Sequence, residues 1–581
     1  MKTLFSKSLV FVSIYLLLSV TIFAQSKVKS IDELMQRYYD YSQFNGTVLV
    51  ADSVGIVFSK GYGYANLEWN ISNDVSTKFR IGSVTKQFTA VLILQLVEAG
   101  KIDLNKTISD YLPYYREDNG KRANIHQLLT HTSGIPSYTG LPNFADEISK
   151  TKSNPKDFVV KHCSGDFEFE PGSQFLYNNS GYFILGAIIE EVTGKDYATV
   201  LKENILVPLN MSNSGLDNSD LVLANRASGY LKIFKQFTNT PYVDMSLPFS
   251  AGSMYSTVDD LYKWDRALRN NTILSNEYTQ KLFGKYESAF GGYYGYGFVI
   301  SKESFDGSTD SLTAIRHGGD INGFSSLYYA TQGNGQAVIL LNNYNGFPRV
   351  NIAQNLLKIL NDQKIEYPKL GISYKLHELI LEDGIDAAVE AYKILKKNEF
   401  ESFFFAENEL NNLGYYLMNS GLLDDALKMF QLNIDEYSEG FNTYDSMGEA
   451  LLKAGKSDLA IENFRKSLEL NPGNDNARTN LKKLGVVLEE KYISVDDKLL
   501  AKYVGKYELF PNFAIEVTLD GDRLFTQATG QQKFEIFPKT ETEFYLKVVN
   551  AQIEFKQNPK GDVDEIILYQ GGQVIPGKRV E

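Results

Sequence analysis

Three short segments carry residue types that together could run acyl transfer. In Ser83-Val-Thr-Lys86 a hydroxyl and an amine stand three residues apart. The segment follows an extended run, Phe79-Arg80-Ile81, then Gly82, and it opens an apolar helix, so Ser83 and Lys86 fall one turn apart on one face. A serine hydroxyl is a poor nucleophile until a base takes its proton. Lys86 does this only when neutral, in a site that disfavours its charge. Alternatively, charged Lys86 lowers the pKa of a third group that acts as base. Ser83 also lies near free helix N–H groups, where negative charge is favoured. Spacing alone has little weight, since Ser26/Lys29, Ser149/Lys152 and Ser153/Lys156 share it. Context sets Ser83 apart.

Tyr177-Asn-Asn179 precedes a second helix and supplies such a third group. A tyrosine beside a buried ammonium shuttles a proton more readily than in water. The Asn179 amide offers donor and acceptor to a substrate or to Lys86. With 37 tyrosines in the chain, Tyr177 has no weight taken alone. Arg316-His-Gly-Gly-Asp-Ile-Asn-Gly-Phe324 is the third segment, between strand-like runs; taken alone it is equally a turn with an incidental histidine. His317 is one of five histidines, and Gly318 and Gly319 let backbone approach a ligand closely. A substrate carbonyl along this edge would meet the Asp320 N–H, which with the Ser83 N–H forms an oxyanion hole.

The elements that must hold these segments can be read from periodicity. Gly46–Ala51 and Gly55–Ser59 read as strands joined at Asp52-Ser53. Ser83–Ala99 and Ser180–Val192 read as helices stopped by Gly100 and Gly194. Strand signals return at Ser325–Tyr329 and Gln336–Leu341. Strands at both ends with helices between predict an α+β domain over 28–362, its two ends sharing one sheet. Further on, Gly414, Gly421, Ala426 and Phe430 recur 34 residues later as Gly448, Gly455, Ala460 and Phe464, with Pro472 at the repeat's end. That is the tetratricopeptide period, placing an α-helical repeat region at 370–486, with a degenerate copy near Ala388 and Tyr392. Over 493–581 the pattern alternates: Phe513–Leu519, Asp520-Gly521 and Arg523–Thr526 form a hairpin, and 534–537, 544–548, 553–556 and 565–569 continue it. A small antiparallel β-barrel or sandwich follows, with no His or Cys in it.

Composition narrows the setting. The 581 residues exceed one core, and 43% apolar against 22% charged content argues against disorder. A net charge of −13 without a basic run excludes nucleic acid as a partner. Residues 1–24 read as a signal peptide: Lys2 and Lys7, an apolar run to Phe23, then Ala24. No later stretch is long and apolar enough to span a bilayer. Cys163 is the only cysteine, so no intramolecular disulfide forms, which fits a bacterial periplasm or exterior.

Ser-x-x-Lys, Tyr-x-Asn and a His-x-Gly triplet, in this order and 94 and 140 residues apart, resemble the motifs of the β-lactamase and penicillin-binding superfamily: class C β-lactamases, DD-peptidases and related esterases. Leu128-Leu-Thr-His-Thr-Ser-Gly-Ile-Pro136 and Ala251-Gly-Ser-Met-Tyr-Ser-Thr-Val-Asp-Asp-Leu261 support the resemblance, which covers about 30–360. It implies a serine hydrolase working through an acyl-enzyme. Ser83 would be the nucleophile, with Lys86 and Tyr177 as the base system. Asn179, His317 and Gly319 would bind substrate, and the Ser83 and Asp320 N–H groups would hold the oxyanion. Neither metal nor cofactor is implied. His131 would shape a loop. Two departures stand out: His317 replaces a lysine, weakening the charge that greets a substrate carboxylate, and Gly318 replaces a hydroxyl residue. Both favour a D-amino-acid peptidase, amidase or esterase over a penicillinase. The contrasting expectation is an exported scaffold with a vestigial site, binding a peptide or protein on the repeats. In a further alternative the repeats and terminal barrel only pack on the hydrolase or mediate self-association. Specificity is expected in loops at 137–170 and 215–250.

Overall fold

The computed structural model describes residues 25–304, 311–488, 495–510, 513–549, 551–558, 561–570 and 573–580. The expected signal peptide lies outside them. The chain divides at Pro368/Lys369 into two compact units.

The first unit is built on an eight-stranded sheet with a helix α1 over 25–40 leading in. Strands β1 (Gly46–Ala51) and β2 (Ile56–Tyr62) are followed by helices α2 (Thr85–Glu98), α3 (Asn179–Thr193) and α4 (Val258–Arg269). Strands β3 (Glu287–Ala289), β4 (Gly292–Tyr294), β5 (Val299–Ser304), β6 (Ser311–Ile321), β7 (Phe324–Thr331) and β8 (Ala337–Asn342) then run to helix α5 (Arg349–Leu360). The order is β3-β4-β5-β6-β7-β8-β1-β2, antiparallel throughout. β1 pairs with β8, Gly46 opposite Asn342, so the two ends of the domain share one sheet as expected.

β1 is buried on both faces, and its alternation divides two cores. Val48 and Val50 join Ile31, Leu34, Leu356 and Leu357 beneath α1 and α5. Leu49 and Ala51 join Phe88, Val91, Leu185 and Trp264 from α2, α3 and α4. α2 is buried along nearly its whole length, so its apolar residues do not keep to one stripe. Trp264 stacks on Phe88 at 4.1 Å and donates its Nε1–H to Gln87. α3 starts at an Asn178 cap, which accepts from the Gly181 N–H, and ends at Gly194 with φ +67°, the left-handed conformation a helix stop uses.

In the second unit come helices α6 (Ile372–Asp383), α7 (Ile385–Asn398), α8 (Glu407–Asn419), α9 (Leu423–Glu436), α10 (Phe441–Lys453), α11 (Ser457–Leu470), α12 (Asp475–Lys483) and α13 (Asp497–Tyr503). One contact recurs along them. A Cβ on Gly414 of α8 would stand 2.5 Å from the Phe430 ring of α9, and one on Gly448 of α10 would stand 2.7 Å from Phe464 of α11. Eight strands, β9 (Gly505–Phe510) to β16 (Gln573–Arg579), then close a barrel. Val517, Phe555, Ile566 and the stacked Tyr503 fill it. Among the described residues no helix is long and apolar enough to cross a membrane.

Candidate active site

Ser83 lies in a tight turn, Gly82–Val84, directly before α2. Gly82 has φ +51°, and a Cβ on it would stand 2.8 Å from the Asp320 nitrogen of β6. The turn is tied on both sides. The Ile81 carbonyl accepts from Ser326 Oγ at 2.7 Å, and the Ile81 N–H donates to the Met254 carbonyl at 2.9 Å.

One turn into α2, the fully buried Lys86 amine reaches three oxygens: Ser83 Oγ at 3.0 Å, Asn179 Oδ1 at 2.8 Å and the Ala251 carbonyl at 2.8 Å. Burial pushes its pKa well below that of an ordinary lysine. Its Nζ lies 4.9 Å from the centre of the Tyr177 ring. The Tyr177 hydroxyl is buried and has no hydrogen-bond partner among the described residues. Burial raises its pKa, an effect eased by the nearby Ser83 hydroxyl. The phenol therefore stays protonated at neutral pH.

His131 holds Tyr177 from beneath. It is buried, with φ +61°, and its Nδ1 accepts the Asn178 N–H at 3.1 Å. Its ring centre lies 4.4 Å from that of Tyr177. His131 therefore shapes the loop that carries the Tyr-x-Asn segment.

The third segment is not a turn. Arg316 to Asp320 continue β6, paired residue for residue with Tyr329 to Ser325 of β7. The two glycines serve close approach: a Cβ on Gly319 would stand 1.9 Å from the Ile81 carbonyl oxygen. A Cβ on Gly318 would meet the Arg349 guanidinium at 2.8 Å. Arg349, at the start of α5, binds both Asp320 carboxylate oxygens, at 2.9 and 2.7 Å. Arg316 donates to the Phe290 carbonyl.

His317 carries no charge at neutral pH. Burial, reinforced by Lys86, lowers its pKa to about 3. Its Nδ1 is 2.6 Å from the Gly318 carbonyl, which can only accept, so Nδ1 carries the proton. Nε2 then accepts from the Tyr294 hydroxyl at 3.0 Å. Both ring nitrogens are thus engaged within the protein.

Ser83, Asn179 and Asp320 line one cavity of about 160 Å³, walled by Tyr138, Phe144, Leu247 and Ile321 among others. The structure therefore gathers Ser83, Lys86, Tyr177, Asn179, His317, Gly319 and Asp320 at one place. It adds three partners to which the sequence assigned no role: the Ala251 carbonyl, at the head of the Ala251–Leu261 segment, Tyr294 and Arg349. Among the described residues no cluster of His, Cys, Asp and Glu could hold a metal.

A hydroxyl beside a buried amine, under a protonated phenol and backbone N–H groups, is equipped for acyl transfer. A family model described as Beta-lactamase matches residues 31–361, more than half of the chain. The chain belongs to the Beta-lactamase family. It is a serine hydrolase of this β-lactamase-related type. Residues 489–579 match a second model, Domain of unknown function (DUF3471). Penicillin-binding protein 4* of Bacillus subtilis (strain 168) is 22% identical over 564 residues, covering 94% of this chain and 98% of that protein. Teichoic acid D-alanine hydrolase of Staphylococcus aureus (strain MRSA252) is 30% identical over 287 residues, covering 47% of this chain and 66% of that one. The solved structure of the octameric penicillin-binding protein homologue from Pyrococcus abyssi shares the fold of this family member: TM-score 0.51 at 20% identity, over 95% of this chain and 100% of that one.

Proposed function

We propose that this chain is an exported hydrolase that cleaves amide or ester bonds next to a D-amino acid, through an acyl-enzyme on Ser83. The observation that carries this reading is the set of oxygens around Lys86. A neutral amine has two N–H groups and one lone pair. The Asn179 amide oxygen and the Ala251 carbonyl can only accept, so they take the two N–H groups. The lone pair is left for the Ser83 proton.

Lys86 takes that proton as Ser83 Oγ bonds to the substrate carbonyl carbon. The resulting oxyanion is held by the Ser83 and Asp320 N–H groups. The proton passes from Lys86, with the Tyr177 hydroxyl as relay, to the leaving nitrogen or oxygen as its bond to carbon breaks. Water then attacks the acyl-enzyme. Lys86 accepts a proton from it, the acid leaves, and Ser83 regains its proton. Asn179 orients the substrate. Gly319 keeps β6 close enough for its edge to be used, and His317 acts by its neutral ring.

The neutral His317 supports an amide or ester substrate over a penicillin, and the Arg349 guanidinium beside Gly318 is already paired with the Asp320 carboxylate. The name of the staphylococcal relative supports a D-amino acid as the acyl group, without fixing its side chain. Residues 1–24 and the penicillin-binding relatives support export to the periplasm or exterior. We further read 28–362 as the hydrolase, 370–486 as tetratricopeptide repeats offering a peptide or protein surface, and 493–581 as the barrel domain. The recurring Gly–Phe contact supports the repeats.

The test is turnover of D- and L-alanine p-nitroanilides, a D-alanyl ester and nitrocefin. A D over L preference of about tenfold or more, with nitrocefin poorest, is expected. An L preference overturns the stereochemical assignment, and fast nitrocefin turnover overturns the substrate class. Inertness toward all four favours a binding protein with a vestigial site.

A further inference from the structure

We propose that Phe290 determines side-chain specificity at this site by reading an apolar group of the substrate on the Tyr177 side. The proposal rests on the reading of Ser83 as nucleophile.

β3 and β4 are joined by two residues, Phe290 and Gly291, with Ala289 paired to Gly292. Both turn residues have positive φ, +52° and +73°. Such a hairpin turn calls for Asn, Asp or Gly at its first position, because a Cβ is strained there. A phenylalanine in that place is an outlier. Strain of this kind persists where the surroundings over-determine it, and it gathers at functional sites.

Core filling does not account for Phe290, a residue 53% exposed. It leans instead on the residues of the site. Its ring centre lies 5.7 Å from Phe175, 5.9 Å from Tyr177 and 6.4 Å from Tyr294. The hairpin tip is pinned to β6, because the Phe290 carbonyl accepts from Arg316 Nη2 at 3.0 Å. At the base of the same hairpin Tyr294 bonds His317. The strained turn is therefore clamped to the third segment at both ends, with an exposed phenylalanine beside the proton relay.

Phe290 is separate from the cavity walled by Phe144 and Leu247. A substrate acylating Ser83 would lay one side group against the Phe290 ring. An aromatic or branched aliphatic group gains contact there, whereas a methyl group gains little.

The test is kcat/KM for p-nitroanilides of alanine, leucine and phenylalanine, each as D and L enantiomers, on the full chain and on Phe290→Asn and Phe290→Leu. The wild type is expected to favour phenylalanine over alanine. Phe290→Asn is expected to lose about tenfold on phenylalanine and less than twofold on alanine. Its Tm is expected to hold or rise, because asparagine fits the turn. Phe290→Leu, which stays apolar, is expected to keep most of the leucine rate. An unchanged phenylalanine-to-alanine ratio in both variants overturns the proposal. So does an equal loss on all substrates, which would mean the ring only shields Tyr177. A wild type inert toward every substrate removes the Ser83 reading itself, a result distinct from an active enzyme without the preference.

Discussion

The His131 ring lies 4.4 Å from that of Tyr177, and its Nδ1 accepts the N–H of the next residue, Asn178. The phenol and the Asn179 amide therefore sit on backbone that this histidine holds. Its left-handed φ of +61° is costly for most residues and tolerable for asparagine. His131→Ala is expected to lower kcat about tenfold or more with little change in KM, and to destabilise the fold by about 2–4 kcal/mol. His131→Asn, which can accept the same N–H in the same conformation, is expected to recover part of kcat. Steady-state kinetics and urea unfolding measure both. A loss confined to stability would leave His131 a core residue only.

Lys86 separates chemistry from folding more sharply. Its amine is fully buried, and among the described residues no carboxylate pairs with it. Burying such a group is unfavourable. Lys86→Met is expected to cost about 10²–10⁴ in kcat while Tm holds or rises. A large Tm loss with kcat intact would contradict the assigned base.

Two of the depressed groups, Lys86 and His317, give pH dependences that can be tested. Activity through a neutral Lys86 rises with pH through its lowered pKa, so kcat/KM has an acid limb below the ordinary lysine value of 10.5. Lys86→Met is expected to remove that limb along with the rate. His317, like the buried His131, links stability to pH. Its pKa is about 3 folded against 6.5 for the free side chain, so between these values only the unfolded chain binds the extra proton. Stability therefore rises with pH across that window and is lost as pH falls through it. Urea unfolding at pH 7 and pH 4 should show wild type losing up to about 3 kcal/mol more than His317→Gln. Equal losses would mean that His317 titrates normally.

Gly319 and Gly318 are expected to behave differently. A methyl group at Gly319 would overlap the Ile81 carbonyl, a backbone atom two residues from Ser83. Gly319→Ala must push β6 away from the nucleophile, at about 10² in kcat/KM. At Gly318 the obstacle is the end of the Arg349 side chain, which can swing aside. Gly318→Ala is expected to cost less than tenfold. Comparable losses at both positions would contradict the close β6–Ile81 approach.

Much of this geometry was legible from residue pattern. The helix after Ser83, the stop at Gly194 and the sheet shared by both ends of the hydrolase unit all follow from periodicity and punctuation. Around Gly318-Gly319 the sequence left edge and turn both open; the segment is strand, and what selects glycine there is the close approach of Ile81. The barrel's first and last strands escaped the pattern. β16 contains Pro576 and Gly577, ordinary strand breakers, yet both pair with β15 (Val563–Gln570). Most of the missing site chemistry is long-range. The Ala251 carbonyl that receives Lys86 is a backbone atom 165 residues away; its segment stood out in the sequence, but a backbone acceptor's partner is not written in side-chain pattern. Tyr294 is one of 37 tyrosines until folding sets it against His317.

The central claim is that Ser83 becomes acylated. Intact mass should be measured after incubation with a fluorophosphonate, on wild type, Ser83→Ala and Lys86→Met, with peptide mapping of any adduct. One adduct on wild type mapped to Ser83, none on Ser83→Ala, and labelling slowed about 10² or more on Lys86→Met is the predicted result. An adduct that persists on folded Ser83→Ala, or folded wild type that takes none, would contradict it.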